Sequence, residues 1–159
     1  MTIRVGDRIP DSTLSFMGDT GPSPVSTQEV FSGKKVVLFA VPGAFTPTCS
    51  AKHLPGFVEQ ADEILARGVD TIACMAVNDV FVMSAWGKSA RADQILMLAD
   101  GNGEFTRALG LELDATSFGM GHRSQRFALI AEDGVLTDLF VEGPGEFRVS
   151  SADHVLSKL

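Results

Sequence analysis

The sequence is poor in several residue types that mark particular protein classes. It has two cysteines, three histidines, one tryptophan and no tyrosine. Two cysteines, Cys49 and Cys74, are too few for the disulfide framework of a small secreted domain. The three histidines are scattered and lack the paired spacing of a zinc site, so we expect no metal.

Basic residues are also in the minority. Thirteen lysines and arginines against 20 aspartates and glutamates give a net charge of −7, which repels nucleic-acid phosphates and anionic lipid heads. No apolar run approaches the roughly 20 residues of a membrane-spanning helix, and the first ten residues lack a signal-peptide core. We therefore expect a cytoplasmic protein that binds neither nucleic acid nor membranes.

What is present is typical of a folded globular domain. The chain has 159 residues, of which 45% are hydrophobic and 21% charged. This length is usual for one domain, and there are no repeats, long linkers or low-complexity tracts. We expect residues 1–159 to form a single domain.

Apolar patterning predicts that strands and helices alternate. Short apolar runs predict strands at 35–41, 71–77, 95–99, 126–131 and 135–141, the last two joined as a hairpin through an acidic-glycine turn. Amphipathic spacing predicts helices at 49–67, 79–88, 104–109 and 151–159, with caps at Asn78 or Asp79 and at Ser150 or Ser151. The expected architecture is α/β, with a central mixed sheet flanked by helices.

Cys49 stands where a strand and a Pro-Gly turn lead into a long amphipathic helix. In the first helical turn, free backbone N–H groups and the helix dipole stabilise a thiolate, which is the nucleophilic form. A cysteine of an intracellular protein is more often a small buried apolar residue. Here Pro42 and Pro47 restrict the loop that precedes Cys49, and Thr46 lies three residues before the cysteine, so we favour Cys49 as a nucleophile.

These residues carry a family resemblance. The segment 42–49, PGAFTPTC, resembles the P-x-x-x-T-x-x-C signature of the peroxiredoxins, in the form of the type II or fifth (atypical) subfamily. The resemblance extends over nearly the whole chain through the segments VGDRIP at 5–10, HLPGF at 53–57, VND at 77–79, WG at 86–87, LAD at 98–100 and RF at 126–127. It implies a thioredoxin-like fold with the family's N-terminal extension.

The resemblance also implies a reaction and a set of site residues. A Cys49 thiolate attacks hydrogen peroxide or an organic hydroperoxide and becomes a sulfenic acid. The hydroxyl of Thr46 contacts sulfur and peroxide, and Arg123 matches the family arginine that supplies donors to both. Pro42 shields the sulfur, while Thr48 and the backbone N–H of Cys49 complete the substrate pocket.

Other residues near the motif are given structural roles. Arg126 is expected to pair with an acidic residue or to orient Arg123, and the former is favoured. Trp86 matches a family tryptophan, although a lone tryptophan on an amphipathic helix is more often part of the core. The three histidines, His53, His122 and His154, are expected on surfaces or helix faces without a chemical role.

The second half of the cycle requires a reductant for the sulfenic acid. Many atypical relatives carry a resolving cysteine near the C-terminal end, but residues 146–151 contain none. Cys74 lies within an apolar strand, where a core position is the favoured interpretation, although its placement resembles the second cysteine of type II relatives. We expect a one-cysteine cycle with glutathione and glutaredoxin, with thioredoxin as the other candidate reductant and no bound cofactor.

The resemblance also implies that the protein forms a homodimer. Relatives form homodimers through loops near the active site, and Phe45, Phe81 and Phe118 could supply apolar contacts there. A general thiol-disulfide oxidoreductase is disfavoured, because such enzymes use a C-x-x-C pair that the sequence after Cys49 lacks. A peroxide-sensing thiol relay or a noncatalytic thioredoxin-like binding module is the alternative from another class.

Overall fold

The computed structural model describes all of residues 1–159 and is built around one seven-stranded sheet. The strands are β1 (Thr13–Gly18), β2 (Gly21–Ser26), β3 (Lys35–Val41), β4 (Thr71–Ala76), β5 (Ile95–Ala99), β6 (Glu112–Asp114), β7 (His122–Ser124), β8 (Phe127–Glu132) and β9 (Val135–Val141). The spatial order is β2-β1-β5-β4-β3-β8-β9, and β6 pairs with β7 separately. Strands β3, β4 and β5 are parallel, while β1, β2, β8 and β9 join antiparallel, so the sheet is mixed as predicted.

Five α-helices and two short turns complete the chain. They are α1 (Thr27–Phe31), a π-helical turn (Cys49–His53), α2 (Leu54–Ala66), α3 (Val80–Ser89), α4 (Glu104–Leu109), a 3-10 turn (Thr116–Phe118) and α5 (Ala152–Lys158). The cap of α3 is Asp79 and that of α5 is Ser151, each accepting a backbone N–H. None of these helices has the length and apolar character needed to span a bilayer.

The sheet separates two hydrophobic cores, and β3 contributes to both. Its side chains alternate, so Val37, Phe39 and Val41 face the core that also contains Cys49, α2, α3 and α5. Residues Val36 and Leu38 face the other core, which lies under α1 and α4. A strand buried on both faces reads as a continuous apolar run, which is why the sequence predicted it.

The predicted strands are confirmed to within a residue, and the hairpin between β8 and β9 turns at the expected place. Asp133 and Gly134 both adopt positive φ, of 48° and 76°, as the tight turn of a two-residue hairpin requires. The structure adds strands that the sequence did not predict, above all the β1–β2 hairpin at one edge. Pro22 and Pro24 lie within β2 and have no backbone N–H to donate to a second neighbouring strand, so β2 is suited only to the edge of the sheet.

The prediction of one uniform helix over 49–67 is wrong at its start. The first turn is π-helical, with the N–H of Leu54 donating to the carbonyl of Cys49 five residues earlier. Pro55 has no N–H to donate to the carbonyl of Ala51, so regular α-helical bonding cannot begin until after this wider turn. Turns of this kind occur frequently at functional sites.

Candidate active site

Cys49 lies at the end of the loop that connects β3 to the π-helical turn before α2. The Cys49 residue is 0% exposed. Backbone contacts close the loop, because the N–H of Ser50 donates to the carbonyl of Thr46 over 2.9 Å. Asn78, at the end of β4, accepts the N–H of Ala44 through Oδ1 at 2.9 Å. The loop is thus fixed both to itself and to a neighbouring strand end.

The guanidinium that contacts the sulfur belongs to Arg126. Its Nη2 donates to Sγ of Cys49 over 3.0 Å, and its Nη1 is 2.7 Å from Nδ1 of His53. Its central carbon lies 5.8 Å from the centre of the Phe147 ring. A guanidinium keeps its proton at working pH and donates along a fixed fork, so Arg126 can stabilise negative charge on sulfur.

Arg123, the arginine assigned to the sulfur by the sequence, makes other contacts. Its Nε donates to the carbonyl of Met120 over 2.8 Å, and it forms no hydrogen bond to Cys49. Its Nη1 lies close to Gly43, where an added Cβ would approach it to 3.3 Å. Arg123 therefore borders the loop, whereas Arg126, for which the sequence favoured a structural pairing, contacts the sulfur.

The remaining residues of the motif form no hydrogen bond with the sulfur. The hydroxyl of Thr46 donates to the carbonyl of Gly43 over 2.7 Å rather than to Sγ. Pro42 and Thr48 are half-buried on either side of this segment, and Thr48 begins the π-helical turn without a side-chain cap. These motif residues therefore lie in one segment that leads to Cys49, and the side chain that donates to the sulfur comes from Arg126.

His53 is buried in the core, so a surface position for it is wrong, although it does lie on one face of a helical turn. It is 0% exposed, and its Nε2 is 2.9 Å from the carbonyl of Ser150. Burial, together with the charge of Arg126, lowers the pKa of His53 to about 3. The ring is therefore neutral at physiological pH. Of the other two histidines, His122 is exposed and His154 is half-buried.

Glu142 organises the loop that reaches His53 from the other side. Its carboxylate accepts the N–H groups of Arg148, Val149 and Ser150 and the Ser150 hydroxyl at 2.7–2.9 Å. Burial alone would raise the pKa of Glu142, but these hydrogen bonds outweigh it and hold that pKa below its usual value. Sequence reasoning missed Glu142, since no motif marks it.

Trp86 and Cys74, which the sequence also singled out, are both buried. Trp86 is buried in α3, and its Nε1 donates to Oγ of Ser50 over 3.0 Å, so it is both a core residue and a neighbour of the nucleophile. Cys74 is fully buried in β4, on the same side of the sheet as Cys49. Burial, and secondarily the nearby charge of Cys49, raises the pKa of the Cys74 thiol well above its usual value.

Sequence and structural similarity both relate the chain to the same proteins. The Redoxin family model matches residues 4–156. Peroxiredoxin-2B of Arabidopsis thaliana is 52% identical over 159 residues, covering 99% of this chain and 98% of that protein. The chloroplastic Peroxiredoxin-2E-2 of Oryza sativa subsp. japonica is 54% identical over 165 residues, covering 99% of this chain and 73% of that protein.

Among solved structures, reduced Prx3 of Vibrio vulnificus in complex with hydrogen peroxide superposes with a TM-score of 0.96. It is 54% identical in sequence, and the match covers 99% of each chain. The similarity therefore extends through every strand and helix that positions Cys49.

Proposed function

The chain belongs to the Redoxin family and is a peroxiredoxin, hence a thiol peroxidase, and from this premise we propose that Cys49 is the residue that attacks the peroxide. Its thioredoxin-like fold is the one that the sequence predicted. The observation that carries the proposal is the 3.0 Å contact between Nη2 of Arg126 and Sγ of Cys49. A guanidinium at this distance can donate to the negatively charged sulfur of a nucleophilic thiolate.

The proposed first step is displacement at oxygen. The Cys49 thiolate attacks one oxygen of the hydroperoxide, the S–O bond forms as the O–O bond breaks, and the other oxygen leaves with the electron pair. That oxygen takes up a proton and departs as water or an alcohol, while Cys49 becomes a sulfenic acid. Arg126 stabilises charge as it moves from sulfur to the leaving oxygen. The related Vibrio protein was solved with hydrogen peroxide, which supports that substrate class here.

We propose a one-cysteine cycle in which glutathione, assisted by glutaredoxin, reduces the sulfenic acid. Glutathione forms a mixed disulfide with Cys49 and releases water, and a second thiol then regenerates the thiolate. The buried, high-pKa Cys74 thiol is a poor resolving group. Because Cys49 itself has no exposed surface, a small thiol reaches it with less rearrangement of the loop than thioredoxin needs.

A homodimer is the proposed assembly, in line with the sequence expectation. Phe45, Phe81 and Phe118 expose 54%, 64% and 81% of their surfaces and are therefore available for apolar contacts with a second chain. Phe45 belongs to the Cys49 loop, and Phe81 to the helix that carries Trp86. Sedimentation of wild type and Phe118→Ser tests this assembly, since a dimer through this face weakens in the variant. The cytoplasm stays the proposed location.

Peroxide turnover tests the proposed function directly. Wild-type protein and Cys49→Ser are each mixed with hydrogen peroxide and either glutathione with glutaredoxin or thioredoxin with its reductase. We expect multiple turnovers with wild type in the glutathione system and none in the variant. If folded wild type consumes no peroxide with any reductant, the sensor or binding-module alternative replaces the peroxidase.

A further inference from the structure

A continuous line of buried and part-buried polar contacts runs from the Cys49 sulfur to the C-terminal loop. Arg126 donates to the sulfur and to His53, and His53 in turn meets the carbonyl of Ser150. Ser150 is held by Glu142 through both its N–H and its hydroxyl. The line connects a reactive group with a segment that carries no residue of the signature.

We propose that His53 is a positioning residue, which holds the Arg126 guanidinium on the Cys49 sulfur and is itself fixed by Ser150 and Glu142. The inference rests on the proposed function, because it concerns the geometry in which Cys49 meets peroxide. It assigns a role to two residues, His53 and Glu142, that neither the sequence signature nor the reaction itself requires.

The protonation pattern along this line is set by Arg126. A guanidinium only donates hydrogen bonds, so Nδ1 of His53 must be the acceptor in the 2.7 Å contact. The proton of the neutral ring then resides on Nε2, which donates to the carbonyl of Ser150 over 2.9 Å. A protonated ring would direct an N–H at the guanidinium, and the contact would be lost.

Helix geometry brings the two acceptors of Arg126 to the same side. Cys49 and His53 are four residues apart at the ends of the π-helical turn, so their side chains share a face. One guanidinium can therefore contact both, with Nη2 on the sulfur and Nη1 on the imidazole. A guanidinium that is hydrogen-bonded through both Nη atoms has less freedom to rotate than one bonded to the sulfur alone.

The imidazole ring is itself fixed on three sides by aromatic packing. Its centre lies 4.9 Å from the ring centre of Phe39, 5.7 Å from that of Phe57 and 5.0 Å from that of Phe147. Phe147 also lies against Arg126, so one side chain of the C-terminal loop contacts both members of the pair. These rings restrict the plane of the imidazole, and the contacts with Arg126 and Ser150 determine which ring nitrogen faces each partner.

Glu142 holds the far end of the line. Four donors from residues 148–150 converge on its carboxylate, and this fixes the direction of the Ser150 carbonyl that His53 uses. Buried polar networks of this kind are rigid when every member has a partner, and no buried side-chain polar atom of the protein lacks one.

Three variants separate positioning from packing. His53→Phe keeps a ring in the aromatic cluster but removes both hydrogen bonds, whereas His53→Gln supplies an amide that can accept from Arg126 and donate to Ser150. His154→Phe is the matched control, because the same exchange is made at a histidine that packs edge-on against Phe140 and forms no hydrogen bond with Arg126 or with the Ser150 carbonyl. Near-UV circular dichroism verifies that each variant is folded.

The readout compares two reactions of Cys49 at neutral pH. Oxidation by hydrogen peroxide needs Arg126 in place at both sulfur and oxygen, while alkylation by iodoacetamide needs only a thiolate. In His53→Phe we expect peroxide oxidation to slow by about 10- to 100-fold and alkylation to slow far less. His53→Gln should recover much of the lost rate, and His154→Phe should match wild type. Equal losses in both reactions, or no rescue by glutamine, would overturn the positioning role.

A second measurement needs no peroxide and observes the His53 ring directly. Nitrogen NMR of wild-type imidazole groups at pH 7 should show one buried histidine as the neutral Nε2–H tautomer, assigned by its loss in His53→Gln. An Nδ1–H or charged ring would refute the hydrogen-bond pattern. If the tautomer is as expected but the wild type consumes no peroxide in the turnover assay, the proposed function is wrong, while the hydrogen bonds from Arg126 through His53 to Ser150 are still supported.

Discussion

The indole Nε1 of Trp86 donates a 3.0 Å hydrogen bond to Oγ of Ser50, the residue that follows Cys49. Trp86 is the only tryptophan, and it is buried. Its fluorescence therefore reports on the immediate neighbourhood of the nucleophile without interference from other indoles.

We expect the Trp86 emission to change when Cys49 is oxidised, because an oxygen added to the sulfur disturbs the turn that contains Ser50. The measurement is a titration of reduced protein with hydrogen peroxide, followed by fluorescence and by mass spectrometry of Cys49. The change should saturate at one peroxide per chain and be absent in Cys49→Ser. Emission that stays constant while mass spectrometry shows oxidised Cys49 would refute this coupling.

Cys74 should be dispensable for the chemistry. Its side chain is fully buried, and its raised pKa keeps it a neutral thiol at physiological pH. Cys74→Ala should retain peroxide turnover and lose about 1 kcal/mol of unfolding free energy through the small cavity it leaves. Coupled turnover assays and urea unfolding measure the two effects. A variant that still oxidises Cys49 but fails to turn over with every reductant would make Cys74 the resolving residue.

Stability should fall between pH 7 and pH 5 because of His53. Its pKa is about 3 in the folded chain against 6.5 ordinarily, so in this window the unfolded state binds the proton and the folded state does not. The unfolded state gains from protonation as pH falls, which costs the fold about 2 kcal/mol at pH 5.

Urea unfolding of wild type and His53→Phe at both pH values isolates this contribution. Other groups titrate in both proteins, so the difference between their pH dependences belongs to position 53. The wild type should lose more stability than the variant over the same interval. An identical loss in the two proteins would mean that the His53 pKa is not lowered by folding.

The sequence predicted the sheet well because its central strands are buried on both faces. Apolar runs such as 35–41 have few other interpretations, and the Asp133-Gly134 turn fixes the hairpin that follows. The β1–β2 hairpin escaped prediction because Pro22 and Pro24 argue against a strand unless its edge position is known. The π-helical turn escaped because the local effect of Pro55 is seen only in hydrogen bonds.

The choice between the two arginines needed information on strand faces. Phe127 pairs with Ala40 in the register of β8 and β3, so Arg126 stands one residue further, where β3 passes into the Cys49 loop. Side chains alternate along a strand, and Ala128 faces the core that contains Cys49. Arg126 shares that face, which could have been inferred from the sequence only once the pairing of β8 with β3 was assumed.

Arg126→Gln and Arg123→Gln test the central claim most directly, as a matched pair three residues apart. The rate of Cys49 oxidation by hydrogen peroxide is measured for each by stopped-flow fluorescence of Trp86, with mass spectrometry as a check. Because only Arg126 donates to the sulfur, its variant should lose about 100- to 1000-fold, and the Arg123 variant far less. A large loss in Arg123→Gln alongside a nearly unchanged Arg126→Gln would contradict the account.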